Sequence, residues 1–209
     1  MKREAIFDET GTYRYSLTRK WSEENDRKVT FILAYPNHAN EYKEDPAVRK
    51  CVELAKKWGF GSLEIVHLFS YQTDHISFLR TLTKQEAVGV NNDYYLLSAI
   101  EHVDLIIAAW GDYGSLYNRQ DEIKQYIKNK PLYCLGITKQ LFPKHILSVA
   151  ASAELQRFAS KRPIKNEGTL TYIEDINDSL IHEEPVEEIK PVEEEEPLTM
   201  IEEIVDMFR

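Results

Sequence analysis

Cysteine is scarce in this sequence, and long apolar runs are absent from it. Of the 209 residues only Cys51 and Cys134 are cysteines, and neither has a second cysteine or a histidine at ligand spacing. We therefore predict two buried thiols, and neither a disulfide nor a zinc site. No apolar run approaches the roughly 18 residues of a membrane-spanning helix, and the first residues lack the apolar stretch of a secretory signal. These absences predict a cytoplasmic protein that does not enter the membrane.

The motifs of several common enzyme classes are also missing. The sequence contains no phosphate-binding glycine-rich loop, no nucleophile elbow and no His-Glu-x-x-His helix. The segment Gly59-Phe60-Gly61 leads into a predicted strand, whereas a dinucleotide fingerprint leads into a helix. Classical nucleotidases, hydrolases and metalloproteases are therefore disfavoured, and we expect neither a cofactor nor a metal.

The excess of acidic side chains is confined to the last part of the chain. Of the 35 Asp and Glu residues, eleven lie between positions 183 and 209, together with only two of the 26 Lys and Arg residues. The first 182 residues therefore carry 24 charges of each sign and are neutral. Basic residues there, such as Arg14 and Arg19, could bind phosphates, but scattered charges on a neutral domain are more typical of a solvated surface.

Alternating strand and helix patterns predict an α/β fold, with a mostly parallel central sheet flanked by helices on both faces. A turn at 8–11 between two strand patterns predicts an N-terminal hairpin. A helix is predicted with Asp45 as its N-cap and Pro46 as its first residue, and it ends at Gly59. Further strands are predicted at 29–34, 63–69, 104–110 and 131–136, and further helices at 92–102 and 120–128.

Four segments are predicted from this pattern. Residues 1–160 form the α/β domain and 161–182 a polar extension. Residues 183–197, with eight Glu and three Pro, form a disordered acidic linker because they cannot build a core. Residues 198–209 have the spacing of a short amphipathic helix, which needs a partner surface in order to fold.

Ligands of parallel sheets bind beyond the carboxyl ends of the strands, so the loops there are the candidate site. Four clusters should meet at this edge: 35–38, 67–69, 110–112 and 143–145. Their histidines, Asn and Tyr could hydrogen-bond a planar heterocycle that stacks on Phe69 or Tyr71. The structural alternative is that such strand-end residues only satisfy the backbone, that Trp110 is a core residue and that Gly111 allows a turn.

The order of these segments resembles that of an uncharacterised bacterial and phage domain family, over roughly residues 5–159. The residues that carry the resemblance are Arg14 to Trp21, Glu44-Asp45-Pro46, Trp58-Gly59-Phe60-Gly61, Asn92-Asp93, Ala109-Trp110-Gly111, Leu132 to Gly136 and Pro143 to Leu147. That family in turn resembles the uracil-DNA glycosylase superfamily, whose enzymes extrude a base from the stack and cleave its glycosidic bond. The resemblance implies a glycosylase-like α/β fold.

The glycosylase resemblance also implies site residues. His145 matches a late-loop histidine that stabilises the departing base, and with Asn37 it forms the catalytic candidates. The residues implied in base binding are Tyr35, Pro36, His67, Phe69, Trp110 and Gly111. Three positions depart from the pattern, because Tyr35 and His67 replace asparagines and Ile146 replaces a proline. We therefore predict a divergent relative that binds a nucleobase, nucleotide or DNA, with glycosidic chemistry altered or lost.

Two alternatives remain open. The protein could be a non-enzymatic interaction factor whose tail recruits a replication or transcription partner, through Leu198, Ile201, Val205, Met207 and Phe208. The end of the tail resembles the short ligand of the bacterial sliding clamp, although an acidic tail can also serve only solubility. The second alternative is a small-nucleotide binder that sequesters its ligand.

Overall fold

A computed structural model of the chain describes residues 1–127, 129–150, 152–158, 163–166 and 169–172. The chain divides into two compact units, Met1–Ser160 and Lys161–Arg209. The predicted acidic linker and docking helix lie outside the described residues. No helix among the described residues is both long and apolar enough to span a membrane.

The first unit contains a seven-stranded sheet. Its strands are β1 (Lys2–Phe7), β2 (Arg14–Lys20), β3 (Lys28–Leu33), β4 (Ser62–His67), β5 (Leu105–Ala108), β6 (Leu132–Cys134) and β7 (Gln156–Arg157). Their order across the sheet is β1-β2-β4-β3-β5-β6-β7. The four central strands are parallel, as predicted, but β1, β2 and β7 pair antiparallel. The sheet is therefore mixed, because the predicted N-terminal hairpin adds its second strand antiparallel to β4.

Among the described residues of this unit, five α-helices connect the strands. They are α1 (Pro46–Lys57), α2 (Ile76–Leu79), α3 (Lys84–Val88), α4 (Asn92–Glu101) and α5 (Arg119–Tyr126). Helix α1 begins as predicted, because the Asp45 carboxylate accepts a hydrogen bond of 2.8 Å from the backbone N–H of Val48. Two short 3-10 helices follow β5 and β6, at Gly111–Asn118 and Ile146–Ser148.

The helices cover both faces of the sheet, as predicted. One core contains α1 residues such as Cys51 together with Phe31 and Ile65 of the sheet. The opposite core contains Leu96 of α4 with Ile32 and the second cysteine, Cys134. Both cysteines are buried free thiols, and burial raises the pKa of Cys51 well above its ordinary value.

The strand order creates a topological switch point beside β3. From β3 the chain passes through α1 to β4 on one side, and the next parallel strand, β5, lies on the other side of β3. The loops that follow β3 and β5 therefore leave the sheet edge in different directions. In open α/β sheets such a divergence opens a crevice at the carboxyl ends of the strands, where ligands bind.

The second unit contributes a short antiparallel hairpin within the predicted polar extension. Its strands are β8 (Pro163–Asn166) and β9 (Thr169–Tyr172), with Pro163 opposite Tyr172.

Candidate functional site

The loops after the central strands contact each other at the carboxyl edge of the sheet. We call residues 34–45, after β3, the first loop, and residues 68–75, after β4, the second loop. The backbone N–H of Thr73 donates to the carbonyl of Pro36 at 3.0 Å, which joins these two loops. The segments after β5 and β6 are joined in the same way, because the N–H of Gly111 donates to the carbonyl of Pro143 at 2.9 Å. The Tyr35 and Tyr113 rings, 5.9 Å apart, connect the first loop to the segment after β5. The four predicted clusters therefore do lie at one edge.

An open groove of about 620 Å³ lies along the second loop and α2, and His38 is its lining residue from the first loop. The residues that define its chemistry are His38, Tyr71, Thr73, Asp74, His75 and Phe78. The Tyr71 and Phe78 rings are 5.4 Å apart and tilted by 36°, and Phe78 is 44% exposed. His38 Nε2 lies 3.3 Å from Asp74 Oδ2. The groove thus combines aromatic surface with hydrogen-bonding groups in a volume typical of small-molecule sites.

Two buried arginines of β2 hold the first loop in place. Nη1 of Arg14 donates to the carbonyls of Asn37, at 3.4 Å, and of Ala39. Nη2 of Arg19 donates to the carbonyl of Asn40 at 2.6 Å. The exposed fractions of Arg14 and Arg19 are only 1% and 0%. The prediction that both arginines belong to a solvated surface is therefore wrong, because the loop carbonyls supply acceptors that allow their burial.

A β-bulge brings these two arginines to the same face of the sheet. Arg14 and Arg19 are five positions apart, and side chains an odd number of positions apart point to opposite faces of a regular strand. In the β1–β2 pairing, Ile6 is opposite Ser16 and Phe7 is opposite Arg14, so that Tyr15 is the extra residue. The extra residue reverses the alternation, and both guanidinium groups reach the first loop.

His67 lies beneath the first loop and does not line the groove. Its imidazole is 1% exposed, and Nε2 is 3.4 Å from Nη2 of Arg14. Burial and the neighbouring guanidinium lower the pKa of His67 well below its ordinary value of 6.5. Burial also lowers the pKa of Arg14 to about 10, although the Asp45 carboxylate opposes this shift. Since the guanidinium donates, neutral His67 accepts at Nε2 and supports Arg14 from inside.

Three other residues predicted to bind the base are buried. Trp110 is fully buried, and its Nε1 donates to Oε1 of Gln120 at 2.9 Å. Phe69 is equally buried, and its ring packs edge-on against Tyr117 at 6.2 Å. Pro36 is buried as well. These three side chains leave no exposed surface for a base, and Trp110 and Phe69 belong to the core beneath the loops.

His145 and Gly111 meet on the β5 side of the edge. A Cβ on Gly111, whose φ is +66°, would lie 3.3 Å from Cβ of His145. The backbone N–H of Leu147 donates to Nδ1 of His145 at 3.3 Å. The neutral ring therefore carries its proton on Nε2, and burial favours this neutral form by lowering the pKa of His145, partly offset by Asp45. Burial and the neighbouring Tyr113 raise the pKa of the Tyr35 phenol, partly offset by the backbone of Ile76.

Asn37, the other catalytic candidate, is partly buried and contributes its backbone carbonyl to Arg14.

None of the six residues predicted to bind the base lines the groove described above. Tyr71 was predicted as a stacking ring, and His38 lies in a predicted cluster. Asp74, His75 and Phe78 were missed, although the polar segment 71–75 directly follows a strand of the sheet edge. The position of this polar segment after the strand was the sequence signal that could have indicated the missed residues.

Comparison with known protein families gives a match over most of the chain. Residues 14–147 match the family described as "Protein of unknown function (DUF1643)". The chain belongs to the DUF1643 family. The match begins at Arg14 and ends at Leu147, so it includes the first loop, the groove and His145. Comparisons with curated proteins and with solved structures found no match.

Proposed function

We propose that this DUF1643 protein binds a nucleobase-containing ligand, either a free nucleotide or an unstacked base of DNA, in the groove along the second loop and α2. The observation that carries the proposal is the pair of adjacent rings, Tyr71 and Phe78, on one wall of a groove of about 620 Å³. Stacking of a base on an aromatic ring contributes about 1–3 kcal/mol and does not depend on which base it is.

The polar groups of the groove complete the proposed base site. His38, Thr73, Asp74 and His75 offer donors and acceptors beside the aromatic wall. Small-ligand sites generally combine apolar surface with a few such groups that fix orientation. The groove also lies at the carboxyl edge of the parallel strands, on the β4 side of the switch point. A planar heterocycle with a polar edge suits this combination better than a purely apolar or highly charged ligand does.

The resemblance to uracil-DNA glycosylases supports a nucleobase as the ligand more than it supports their chemistry. His145 presents an Nε2–H donor of the kind that stabilises a departing base. However, Tyr35 stands where that superfamily has an asparagine or aspartate, and burial raises the pKa of its phenol. A phenol cannot stabilise a sugar cation as a carboxylate does. We therefore propose a divergent relative without uracil release.

Titration with nucleotides and with a short single-stranded oligonucleotide tests this proposal. We expect thermal stabilisation, because a ligand at 100 times its dissociation constant adds about 2.7 kcal/mol. Phe78→Ala should weaken binding about tenfold, since it removes an exposed stacking ring. Tyr126→Ala, which removes an exposed ring from α5, is the control and should bind as the wild type does. Failure of every nucleotide and oligonucleotide to bind would contradict the proposal.

A further inference from the structure

The His38–Asp74 pair differs from an ordinary surface ion pair in the way its backbone is fixed. Exposed pairs contribute little in general, because two free side chains must be ordered to form them. Here the carbonyls on both sides of His38, those of Asn37 and Ala39, are bonded to buried Arg14. Next to Asp74, the N–H of Thr73 is bonded to Pro36 at 3.0 Å. The two loops are therefore held so that His38 and Asp74 face each other.

This arrangement presents an oriented carboxylate beside the aromatic wall. Within the described residues, Asp74 Oδ2 contacts His38 Nε2 at 3.3 Å, and the Asp74 side chain is 61% exposed. An ionised carboxylate has about four lone-pair sites and can only accept hydrogen bonds. Sites for further donors therefore remain, in the groove that Tyr71 and Phe78 also line.

A carboxylate in this position selects among the bases by their donors. Guanine is the one standard base with two adjacent N–H donors, N1–H and the 2-amino group, on its Watson–Crick edge. A carboxylate can accept both in parallel, and charge-assisted bidentate pairs are the stronger kind of hydrogen bond. Adenine, cytosine and uracil each offer a single donor there beside acceptors that a carboxylate repels.

We infer that the groove is selective for guanine, which Asp74 reads through N1–H and the 2-amino group. This inference rests on the proposed function and narrows its ligand class. His38 and Arg14 act as positioning residues: His38 orients the carboxylate, and Arg14 fixes the loop that carries His38. The two guanine donors bind the lone pairs of the Asp74 carboxylate that His38 does not occupy.

Calorimetric titration with GMP, IMP and AMP tests the inference, because IMP differs from GMP only in lacking the 2-amino group. We expect GMP to bind about tenfold more tightly than IMP, and AMP to bind most weakly, in line with the discrimination of one bidentate pair. Asp74→Asn keeps the shape of the side chain but replaces one acceptor with a donor. This variant should bind GMP and IMP with equal, weak affinity.

Glu53→Gln provides the matched control, because it removes one exposed acid of α1 and should preserve the preference for GMP. Melting temperatures of both variants show whether they are folded, and Asp74 is exposed enough for its replacement to leave the core intact. Equal affinities of the wild type for GMP and IMP would overturn the inference while the proposed function stands. If neither the nucleotides nor the single-stranded oligonucleotide bind, both fail.

Discussion

The histidines at this sheet edge have two different roles. His67 and Arg14 are buried and hold the first loop, whereas His38 and Asp74 line the groove above it. The sequence places all of these residues near strand ends, but it does not indicate their depth. One signal was available for His67, because it continues the alternation of the buried residues Leu63 and Ile65. The position of the candidate site could therefore be predicted, but not which layer meets a ligand.

The buried imidazole of His67 should make stability depend on pH. Its pKa is well below 6.5 in the folded protein, so only the unfolded chain binds a proton as the pH falls through the ordinary value. The stability is therefore full above about pH 6.5 and declines below it, by about 1.4 kcal/mol per pH unit for each proton. Denaturant unfolding between pH 4.5 and 7 should show this slope, and His67→Gln should reduce it.

The dependence of the unfolding free energy on pH is the quantity to compare, rather than the free energy at one pH. His67→Gln also changes packing and therefore lowers stability at every pH. The lowered pKa of His145 acts in the same direction, so part of the slope remains in the variant. His102→Gln, at an exposed position, is the control and should leave the slope unchanged. A slope that is identical in the wild type and in His67→Gln would show that His67 is not held neutral.

Elements with clear boundary signals could be predicted, and the missed ones are short. Helix α1 has both its cap and its stop in the sequence, and the parallel strands are continuous apolar runs. Helix α3 was missed although Thr83 and Glu86 form a capping box, which was visible as Thr-x-x-Glu. The bulge at Tyr15 had no visible signal, because register depends on the partner strand. The placement of Arg14 and Arg19 could therefore not be predicted.

The contact between β2 and the first loop should be sensitive to mutation. Arg19 is fully buried and bonds both the Asn40 carbonyl and the Glu44 carboxylate, at 2.6 and 3.2 Å. Arg19→Met keeps the bulk of the side chain, leaves the Asn40 carbonyl without its donor and leaves the Glu44 carboxylate with only the longer contact to Arg3, at 3.6 Å. The loss of the buried charge pair should cost about 3 kcal/mol of unfolding free energy. Hydrogen exchange of amides in residues 40–44 should become faster.

Lys20→Met is the matched control for this prediction. Lys20 is the next residue of β2, and its ion pair with Glu23 lies at the surface, where the Glu23 side chain is 80% exposed. Such a pair contributes at most about 1 kcal/mol. If Arg19→Met destabilises the protein no more than Lys20→Met does, then the buried arginine does not hold the loop.

At the scale of the whole molecule, charge is separated along the chain. The α/β domain and the extension up to position 182 are neutral, and all the net charge of −9 belongs to residues 183–209. A neutral domain does not repel a nucleic acid, whereas a chain of net charge −9 does at low ionic strength. The acidic segment should therefore lower the affinity for polyanions irrespective of any specific contact.

Removal of residues 183–209 should accordingly raise the affinity for a single-stranded oligonucleotide at low salt. Fluorescence anisotropy at about 20 mM salt, where the Debye length is over 20 Å, should show several-fold tighter binding by the truncated protein, and the gain should vanish near 1 M, where it is about 3 Å. Replacement of Glu193, Glu194, Glu195 and Glu196 by Gln in the full chain should give an intermediate affinity, because it removes four of the eleven acids. Equal affinities of full-length and truncated protein at low salt would show that these carboxylates do not oppose binding. A gain that persists at 1 M salt would require a cause other than charge.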